Sequence, residues 1–391
     1  IMPIILLILI YIAFISLGLP DSLLGSGWPA IHLELNIDNS YMGFVSMVIS
    51  FGTIISSLLS SKLTSRIGTR FVTLGSVFLT VIALFGFSFS KKFWMLIVFA
   101  IPYGLGAGAV DSALNRYVAV HYKAKHMSWL HCFWGAGTII SPFIMGYALT
   151  SSSWQDGYRI VGFIQLGIAL LLFVTLPVWK VNKSEEEKQT KQVSTFSCLK
   201  IKGVIFVLIG FFAYCALEAT AMQWASTYFV EVKGVDKERS AMLASLFYIG
   251  ITFGRFISGF FIDKIGDKKA IIIGCSFLFL GIILLSLPIN CFPLAISSFI
   301  ILGFGCGPIY PCFIHSTPTN FGNENSSSIV GLEMTSAYIG TTFMSPLFGL
   351  LGNRFGFKIM PIYLIFFALL MTGMMLLSFK GSKNKINTAN N

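Results

Sequence analysis

The sequence predicts an all-α membrane protein with twelve transmembrane helices in two pseudo-symmetric six-helix bundles. Of the 391 residues, 55% are hydrophobic and only 11% are charged, whereas soluble domains carry about 25% charged residues. The apolar residues fall into twelve runs long enough to cross a bilayer, and the two halves of the chain share short motifs. A protein of this composition needs the bilayer as its solvent.

The twelve apolar runs define the predicted spans. A membrane-crossing helix needs about 20 predominantly apolar residues. The first run has no small-residue cleavage site, so we expect a span rather than a signal peptide. The runs of the first half lie near residues 3–31, 40–61, 71–90, 93–117, 127–150 and 158–180, and those of the second half near 203–230, 239–262, 269–289, 292–314, 326–351 and 358–379.

A polar segment divides the spans into two sets of six. It contains three successive glutamates flanked by lysines, which is typical of a solvated, mobile linker. The predicted organisation is an N-terminal six-helix bundle over residues 1–180, a cytoplasmic linker over 181–202, a C-terminal six-helix bundle over 203–380 and a cytoplasmic tail over 381–391.

The basic residues predict the orientation, because Lys and Arg concentrate in cytoplasmic loops. With the linker inside, 18 of the 27 basic residues lie on the cytoplasmic side and 8 on the opposite side, and Arg255 lies within span 8. We therefore expect a multi-pass protein of the cell membrane, surrounded by lipid, with both termini cytoplasmic. The basic residues form short clusters rather than a continuous stripe, which argues against a nucleic-acid partner.

Cofactor and metal chemistry find no support in the sequence. The seven cysteines are scattered without CxxC or Cys/His spacing, so neither a disulfide framework nor a metal site is predicted. The GxGxG runs of spans 4 and 10 lack the strand and lysine of a nucleotide loop and indicate close helix approach or bending instead. No nucleophile–base pattern occurs, so we expect no enzyme and no cofactor, and transport driven by an ion gradient or by the solute's own.

Motifs recur at matching positions in the two halves. Gly68 follows span 2 and Gly266 follows span 8, 198 positions later, each within a short basic loop. Two further correspondences join spans 5 and 11 and spans 1 and 7: Ser141-Pro142 with Ser345-Pro346, and Asp21 before Trp28 with Glu218 before Trp224. A duplicated six-helix unit places a transport pathway between the halves, near the membrane midplane.

The loop after span 8 resembles the signature cytoplasmic loop of the major facilitator superfamily. It reads Gly259-x-x-x-Asp263-Lys264-x-Gly266-x-Lys268, and Arg255 one turn upstream fits the longer form of that motif. The first-half copy departs from it, with Ser65 at the aspartate position. The resemblance implies the major facilitator fold and a cytoplasmic gate, whose residues would be Arg255, Gly259, Asp263, Gly266, Arg66 and Gly68.

Two shorter stretches resemble the fucose–proton symporter-like group of that superfamily. Span 1 contains Gly18-Leu-Pro-Asp21, and the glycine-rich run of span 4 ends in Asp111 and Asn115. Span 5, with His131 before Phe133-Trp134-Gly135, follows the same outline. The resemblance implies a transporter that moves a monosaccharide or a derivative together with protons.

Four carboxylates lie well inside the apolar spans and are the candidates for proton coupling: Asp21, Asp111, Glu218 and Glu333. Placing Asp at a helix centre costs about 2.5–3.5 kcal/mol on insertion scales, and loss of water favours the protonated form. Protonation can therefore be linked to conformation. We assign the proton to Asp111, behind the glycine-rich run, and mainly substrate binding to Asp21, in a span that can bend at Pro20. For each carboxylate, packing between helices is the alternative.

Polar and aromatic residues near these carboxylates could form a sugar site. Asp111 and Asn115 share a helix face, and His131 and Trp134 lie on one stripe of span 5. Carboxylates and amides bind hydroxyl groups, and aromatic rings can stack on the apolar face of a sugar. For any single aromatic residue, packing is again the alternative. The predicted substrate-binding residues are Asp21, Asn115, Trp28, His131, Trp134 and Gln223.

The sequence as a whole predicts a monomeric alternating-access transporter that imports a small polar solute, a monosaccharide or derivative, by proton symport. The rival is a proton-driven exporter of drugs or amphiphiles, since Gly135-Ala-Gly137 with Pro142 and Gly146 loosely resembles the antiporter motif of that class. The sequence is compatible with sodium, instead of the proton, as the coupling ion. A non-transporting sensor would need an appended regulatory domain, which the sequence lacks.

Overall fold

The computed structural model describes residues 2–121, 124–179, 195–287 and 292–389, and these residues form helices without a strand. The helices, in chain order, are α1 (Met2–Asp21), α2 (Leu23–Glu34), α3 (Tyr41–Ile67), α4 (Thr69–Ser88), α5 (Phe93–His121), α6 (Ala124–Ser151), α7 (Trp154–Val174), α8 (Thr195–Cys198), α9 (Val204–Lys233), α10 (Lys237–Leu243), α11 (Ser245–Ile265), α12 (Asp267–Ser286), α13 (Phe292–Phe321), α14 (Asn323–Ile339), α15 (Ser345–Phe355) and α16 (Met360–Ala389). Short 3-10 turns at Leu176–Val178 and Phe357–Ile359 and a π-helical segment at Gly340–Met344 complete the list.

Eleven helical segments of the described chain are long and apolar enough to cross a membrane. Each coincides with a predicted run, with α1 and α2 together forming span 1 and α10 and α11 together forming span 8. The remaining run, predicted at 326–351, is also helical, but the π-helical segment divides it into α14, of 17 residues, and α15, of 11 residues. The predicted all-α architecture is confirmed.

The predicted linker and tail are described only in part. Residues 180–194 lie outside the described residues, and the linker's end contains the short helix α8. In the predicted tail, α16 continues to residue 389, and residues 390–391 again lie outside.

The turns after spans 2 and 8 have the same backbone geometry. Gly68 has φ 85° and ψ 151°, and Gly266 has φ 78° and ψ 154°. This region of φ and ψ is essentially restricted to glycine. Each glycine ends one helix and immediately precedes the next, so a tight reversal at this point requires it. The repeated motif therefore corresponds to a repeated turn.

The glycines of span 4 let α3 and α5 pack closely. A Cβ added at Gly104 would lie 2.2 Å from the carbonyl oxygen of Ile49, and one added at Gly108 would lie 2.2 Å from that of Thr53. The second half repeats the arrangement, because a Cβ at Gly303 would lie 2.3 Å from the carbonyl oxygen of Phe247. The interpretation of these glycines as sites of close helix approach is confirmed.

The two halves contact each other through α2 with α9 and α10, through α6 with α10 and α11, and through α3 with α15. The Asn39 amide donates to Glu231 Oε1 over 3.2 Å, and Ser226 Oγ donates to the Ser26 carbonyl over 3.2 Å. Asn39 and Glu231 lie at the loops that connect α2 to α3 and α9 to α10, and Ser26 and Ser226 lie within α2 and α9, nearer the middle of the spans. We call this end of the molecule, which the charge distribution predicts to be extracellular, the closed end.

Candidate solute-binding site

A cavity of about 290 Å³ lies between the two halves. It takes side chains from spans 1 to 6 of the first half and from spans 7, 8 and 11 of the second. Its lining residues are Pro20, Asp21, Leu24, Gly25, Ser46, Ile49, Ser50, Leu84, Phe87, Tyr103, Trp134, Tyr158, Ala219, Met222, Gln223, Tyr248 and Thr341.

Asp21 is the charged group in this lining, and two aromatic side chains hold it. Tyr103 Oη donates to Asp21 Oδ1 over 2.7 Å, and Trp134 Nε1 donates to Asp21 Oδ2 over 2.8 Å. The carboxylate is exposed to the cavity, so its remaining acceptor sites face the space that a solute would occupy. Hydrogen bonds to a charged group are stronger than neutral ones, so both oxygens have defined positions.

The local sequence explains why Asp21 meets Trp134. A Cβ added at Gly18 would lie 2.1 Å from the Trp134 carbonyl oxygen, and one at Gly137 would lie 2.4 Å from that of Ile15. These two glycines therefore bring α1 and α6 together one turn away from the interacting side chains. Asp21 is also the last residue of α1, directly after Pro20, where span 1 divides into two helices. The helix of span 1 is thus interrupted at Ser22, directly after Pro20 and Asp21.

Gln223 lines the cavity and bridges the halves. Its Nε2 donates to Ser46 Oγ of α3, and its Oε1 accepts from Ser345 Oγ of α15. The structure thus brings three of the predicted substrate-binding residues, Asp21, Trp134 and Gln223, to one cavity.

Asp111 and Asn115 interact as their spacing predicts, but away from the residues that line the cavity. Asn115 Nδ2 donates to Asp111 Oδ1 over 2.8 Å, one helical turn apart on α5. Both residues are half-buried. Asn115 therefore supports the carboxylate of Asp111 in this conformation rather than facing the cavity.

Glu218 forms an ion pair with Arg255, at 3.1 Å between Oε1 and Nη2. The two side chains are 11% and 15% exposed. The described partners of Arg255 thus include a carboxylate of α9. Asp263 lies eight residues further along α11, about 12 Å along a helix axis, and its side chain is outside the described part of the structure.

The other gate residues lie at the end opposite the closed end. Arg66 is exposed near the end of α3, and Gly259 has no atom within 4 Å of an added Cβ. Gly68 and Gly266 form the turns described above. Arg255, with its guanidinium 5.4 Å from the Trp134 ring centroid, lies apart from this group, beside the cavity. The gating role of the loop residues remains a prediction.

Glu333 is fully buried within the second half. Thr317 Oγ1 donates to Glu333 Oε1 over 2.7 Å, while Oε2 is buried without a hydrogen-bond partner among the described residues. A buried polar oxygen without a partner is costly, so Glu333 occupies an unfavourable environment in this conformation.

Besides Asn115, two further predicted substrate-binding residues, Trp28 and His131, lie away from the cavity lining. Trp28 is fully buried, and its Nε1 donates to the Asn39 carbonyl oxygen over 2.9 Å, which fixes the loop at the closed end. The His131 ring packs edge-on against Phe14 of α1, with centroids 5.9 Å apart. Trp28 lies seven residues after Asp21, and His131 lies three residues before Trp134, so spacing places each pair roughly on one helix face. In the structure, Trp28 instead bonds to the loop at the closed end, and His131 packs against α1.

The sequence profile of the Major Facilitator Superfamily matches residues 10–341, which is most of the chain. The chain belongs to the major facilitator superfamily. Proteins of this superfamily are membrane transporters rather than enzymes, and the multi-pass helical architecture described above agrees with that role.

Curated relatives are distant. The glucose/mannose transporter GlcP of Bacillus subtilis is 23% identical over 356 residues, covering 87% of this chain and 86% of that protein. The hexuronate transporter of Bacillus subtilis is 25% identical over 295 residues, 69% of each chain. Bypass of stop codon protein 6 of Saccharomyces cerevisiae is 23% identical over 287 residues, 66% of this chain but only 57% of that protein.

Among solved structures, a point mutant of the nucleoside transporter NupG superposes on this major facilitator protein with a TM-score of 0.78. It is 14% identical, and the match covers 95% of this chain and 97% of that one. At this identity the likeness concerns the fold alone. It confirms the major facilitator fold that the signature loop implied.

The cavity residues that were not predicted from the sequence include Tyr103, Tyr158, Tyr248 and Ser46. The position of Tyr103 directly before the glycine run of span 4 was a signal from which it could have been found. The other three lie in ordinary apolar or hydroxyl-containing stretches. With 13 tyrosines in the chain, only the tertiary arrangement distinguishes Tyr158 and Tyr248.

Proposed function

We propose that this major facilitator protein imports a small neutral polar solute, a monosaccharide or derivative, by proton symport across the cell membrane, working as a monomer through alternating access. The observation that carries the proposal is Asp21, fixed by Tyr103 and Trp134 and exposed to a cavity between the two halves. The cavity volume is near the lower end of the range of about 300–1,000 Å³ for small-molecule sites, which favours a small solute.

The composition of the lining favours a neutral solute over an acid. Asp21 is negative, and the described lining residues include hydroxyl, amide and aromatic groups but no basic side chain. The nearest guanidinium, that of Arg255, is already paired with Glu218. A carboxylate-bearing solute would face Asp21 without a compensating cation, and like charges at short distance repel. Sugar hydroxyls, by contrast, can donate to Asp21 and accept from Tyr158 or Gln223.

The different positions of two carboxylates, Asp21 and Asp111, support proton coupling. Asp21 faces the cavity, whereas Asp111 is bonded to Asn115 and is not among the lining residues. A group away from the solute can exchange a proton without competing for the same space. Our proposal keeps Asp111 as the proton site and Asp21 as the solute site, with Glu218 and Glu333 as alternatives for the proton.

The contacts at the closed end support an inward-facing conformation. Asn39 with Glu231 joins the halves at the end that we propose is extracellular, and Ser26 with Ser226 joins them further along the same helices, toward the cavity. With the linker and termini in the cytoplasm, a solute in the cavity would leave toward the inside.

Uptake into proteoliposomes with an acidic outside tests the function. The probes are radiolabelled neutral monosaccharides, with glucose and mannose first, and glucuronate as the acidic comparator. We expect accumulation of a neutral sugar that collapses when a protonophore dissipates the gradient, and loss of that uptake with Asp21→Asn. If the gradient instead depletes the solute from the vesicles, or if larger apolar compounds are moved, the protein is an exporter. Preferential uptake of glucuronate would contradict the neutral-solute proposal.

A further inference from the structure

One side chain lies between charged groups that belong to different halves. Trp134 Nε1 donates to Asp21 Oδ2 over 2.8 Å within the first half. The same ring has the Arg255 guanidinium of the second half over it, with Cζ 5.4 Å from the ring centroid. Arg255 in turn pairs with Glu218 at 3.1 Å. Trp134 thus touches the solute-site carboxylate with its edge and the ion pair of the other half with its face.

The low solvent exposure of Arg255 strengthens its contact with the Trp134 ring. Tryptophan is the best aromatic partner for a cation, and the attraction grows when the cation is desolvated. Arg255 is 15% exposed, and a second ring, that of Tyr310, lies 6.0 Å from its Cζ. The guanidinium is therefore surrounded by the Glu218 carboxylate and by the side chains of Trp134, Tyr310 and Tyr214, of which Trp134 belongs to the opposite half.

We propose that Trp134 is a positioning residue that couples the solute site to the contact between the halves, an inference that rests on the proposed transport function. While the Asp21 carboxylate is free, it holds the indole N–H, and the ring stays against Arg255. A solute that donates hydroxyl groups to Asp21 competes for its charge, which weakens the bond to the indole N–H and lets the ring turn. The contact with Arg255 then weakens, and the two halves separate more readily.

Asp21 is the acceptor through which this coupling acts, although other ionisable groups surround it. Tyr103, Tyr158 and Tyr248 face it from α5, α7 and α11, and Asp111 lies further along α5 within electrostatic range. On the other side of the ring, the charged groups are Arg255 and Glu218, with His131 of α6 near the guanidinium. The described acceptor of the indole N–H is nevertheless Asp21 Oδ2.

Amide hydrogen exchange of the intact protein, without any solute and at one pH, tests the coupling. The readout is residues 223–243, which contribute contacts at the closed end and lie in the other half from Asp21 and Trp134. Asp21→Asn and Trp134→Phe should each raise exchange there by about 2- to 30-fold, the range that one cation–π contact represents. The double variant should exchange no faster than the faster single variant, because both changes break the same connection.

Trp154→Phe is the matched control. It removes another indole–carboxylate bond of the first half, Trp154 Nε1 to Glu34 Oε2 at 2.8 Å, away from the cavity, and its effect should multiply with that of Asp21→Asn. If Trp134→Phe does not fold, Arg255→Lys answers the same question, since it keeps the charge beside Glu218 but loses the planar group that stacks on the ring. Multiplying effects of Asp21→Asn and Trp134→Phe, or of Asp21→Asn and Arg255→Lys, would overturn the coupling. Failure of the uptake assay alone would leave this result intact, because no solute is used.

Discussion

At the scale of single residues, the site depends on how Asp21 is held. Two donors fix its oxygens before any solute arrives, so the site needs little reorganisation to bind hydroxyl groups. Hydrogen bonds that involve a charged partner contribute about 1.5–3 kcal/mol each. A substitution that removes the charge at Asp21 therefore affects both the solute's bonds and the aromatic donors.

Asp21→Asn and Asp111→Asn should affect different steps. With the neutral sugar that the uptake screen identifies, Asp21→Asn should weaken binding by about 10- to 100-fold, as expected for loss of one charged hydrogen bond, and lower both accumulation and counterflow. Asp111→Asn should abolish proton-driven accumulation but spare counterflow, because exchange does not require release of the proton. Accumulation by Asp111→Asn at the wild-type level would move the proton site to Glu218 or Glu333.

Trp28→Phe should separate stability from solute binding. Trp28 is buried at the closed end and donates to Asn39, so the smaller ring loses packing and a hydrogen bond, at a cost of about 1–3 kcal/mol. We expect a lower midpoint of thermal unfolding in detergent and less than a threefold change in solute affinity. Phe87, which lines the cavity, provides the comparison: Phe87→Leu should change affinity. A tenfold loss of affinity with Trp28→Phe would restore its predicted role in the site.

At the scale of helices, most of the fold follows from the apolar runs, and the exceptions have local causes. Length and composition were sufficient for the spans because the bilayer demands about 20 apolar residues in each. The division of span 11 by a π-helical segment at Gly340–Met344 changes the hydrogen-bond pattern without changing composition. Likewise, the separation of α10 from α11 near Ala244 is not visible in hydropathy.

The turn glycine of the signature loop gives a prediction at this scale. Gly266→Ala should destabilise the protein by about 1–3 kcal/mol, because alanine is strained at φ 78° and ψ 154°. An added Cβ there meets no atom within 4 Å, so the cost comes from the backbone and not from a clash. Thermal unfolding in detergent measures the effect.

Gly75→Ala is the matched control for that experiment. Gly75 is exposed inside α4, also without an atom within 4 Å of an added Cβ and without a positive φ. Alanine there should stabilise by about 0.5–1 kcal/mol. If both substitutions shift the unfolding midpoint in the same direction, the turn geometry is not what makes Gly266 necessary.

At the scale of the whole molecule, the sequence could indicate which residues were unusual but not which of them meet. Asp21 and Gln223 were candidates because charged and amide groups are rare in apolar spans, and Trp134 because its ring can stack on a sugar. The three residues share one cavity. The pairing of Arg255 with Glu218, 37 positions earlier, depends on how α9 and α11 face each other. Spacing along one helix describes only local neighbours, so it could not predict this pair.

Orientation is the prediction that connects the closed end to the direction of transport. It rests on 18 basic residues on one side against 8 on the other and on the preference of Lys and Arg for cytoplasmic loops. In intact cells, a membrane-impermeant maleimide should miss Lys200→Cys, in the linker, and label Lys233→Cys, at the closed end. Permeabilised cells provide the control, since both sites should then react, and the parent protein shows the background from native cysteines.

Labelling of Lys200→Cys alone from outside would show that the molecule has the opposite orientation in the membrane. The closed end would then face the cytoplasm, and the described conformation would be outward-facing.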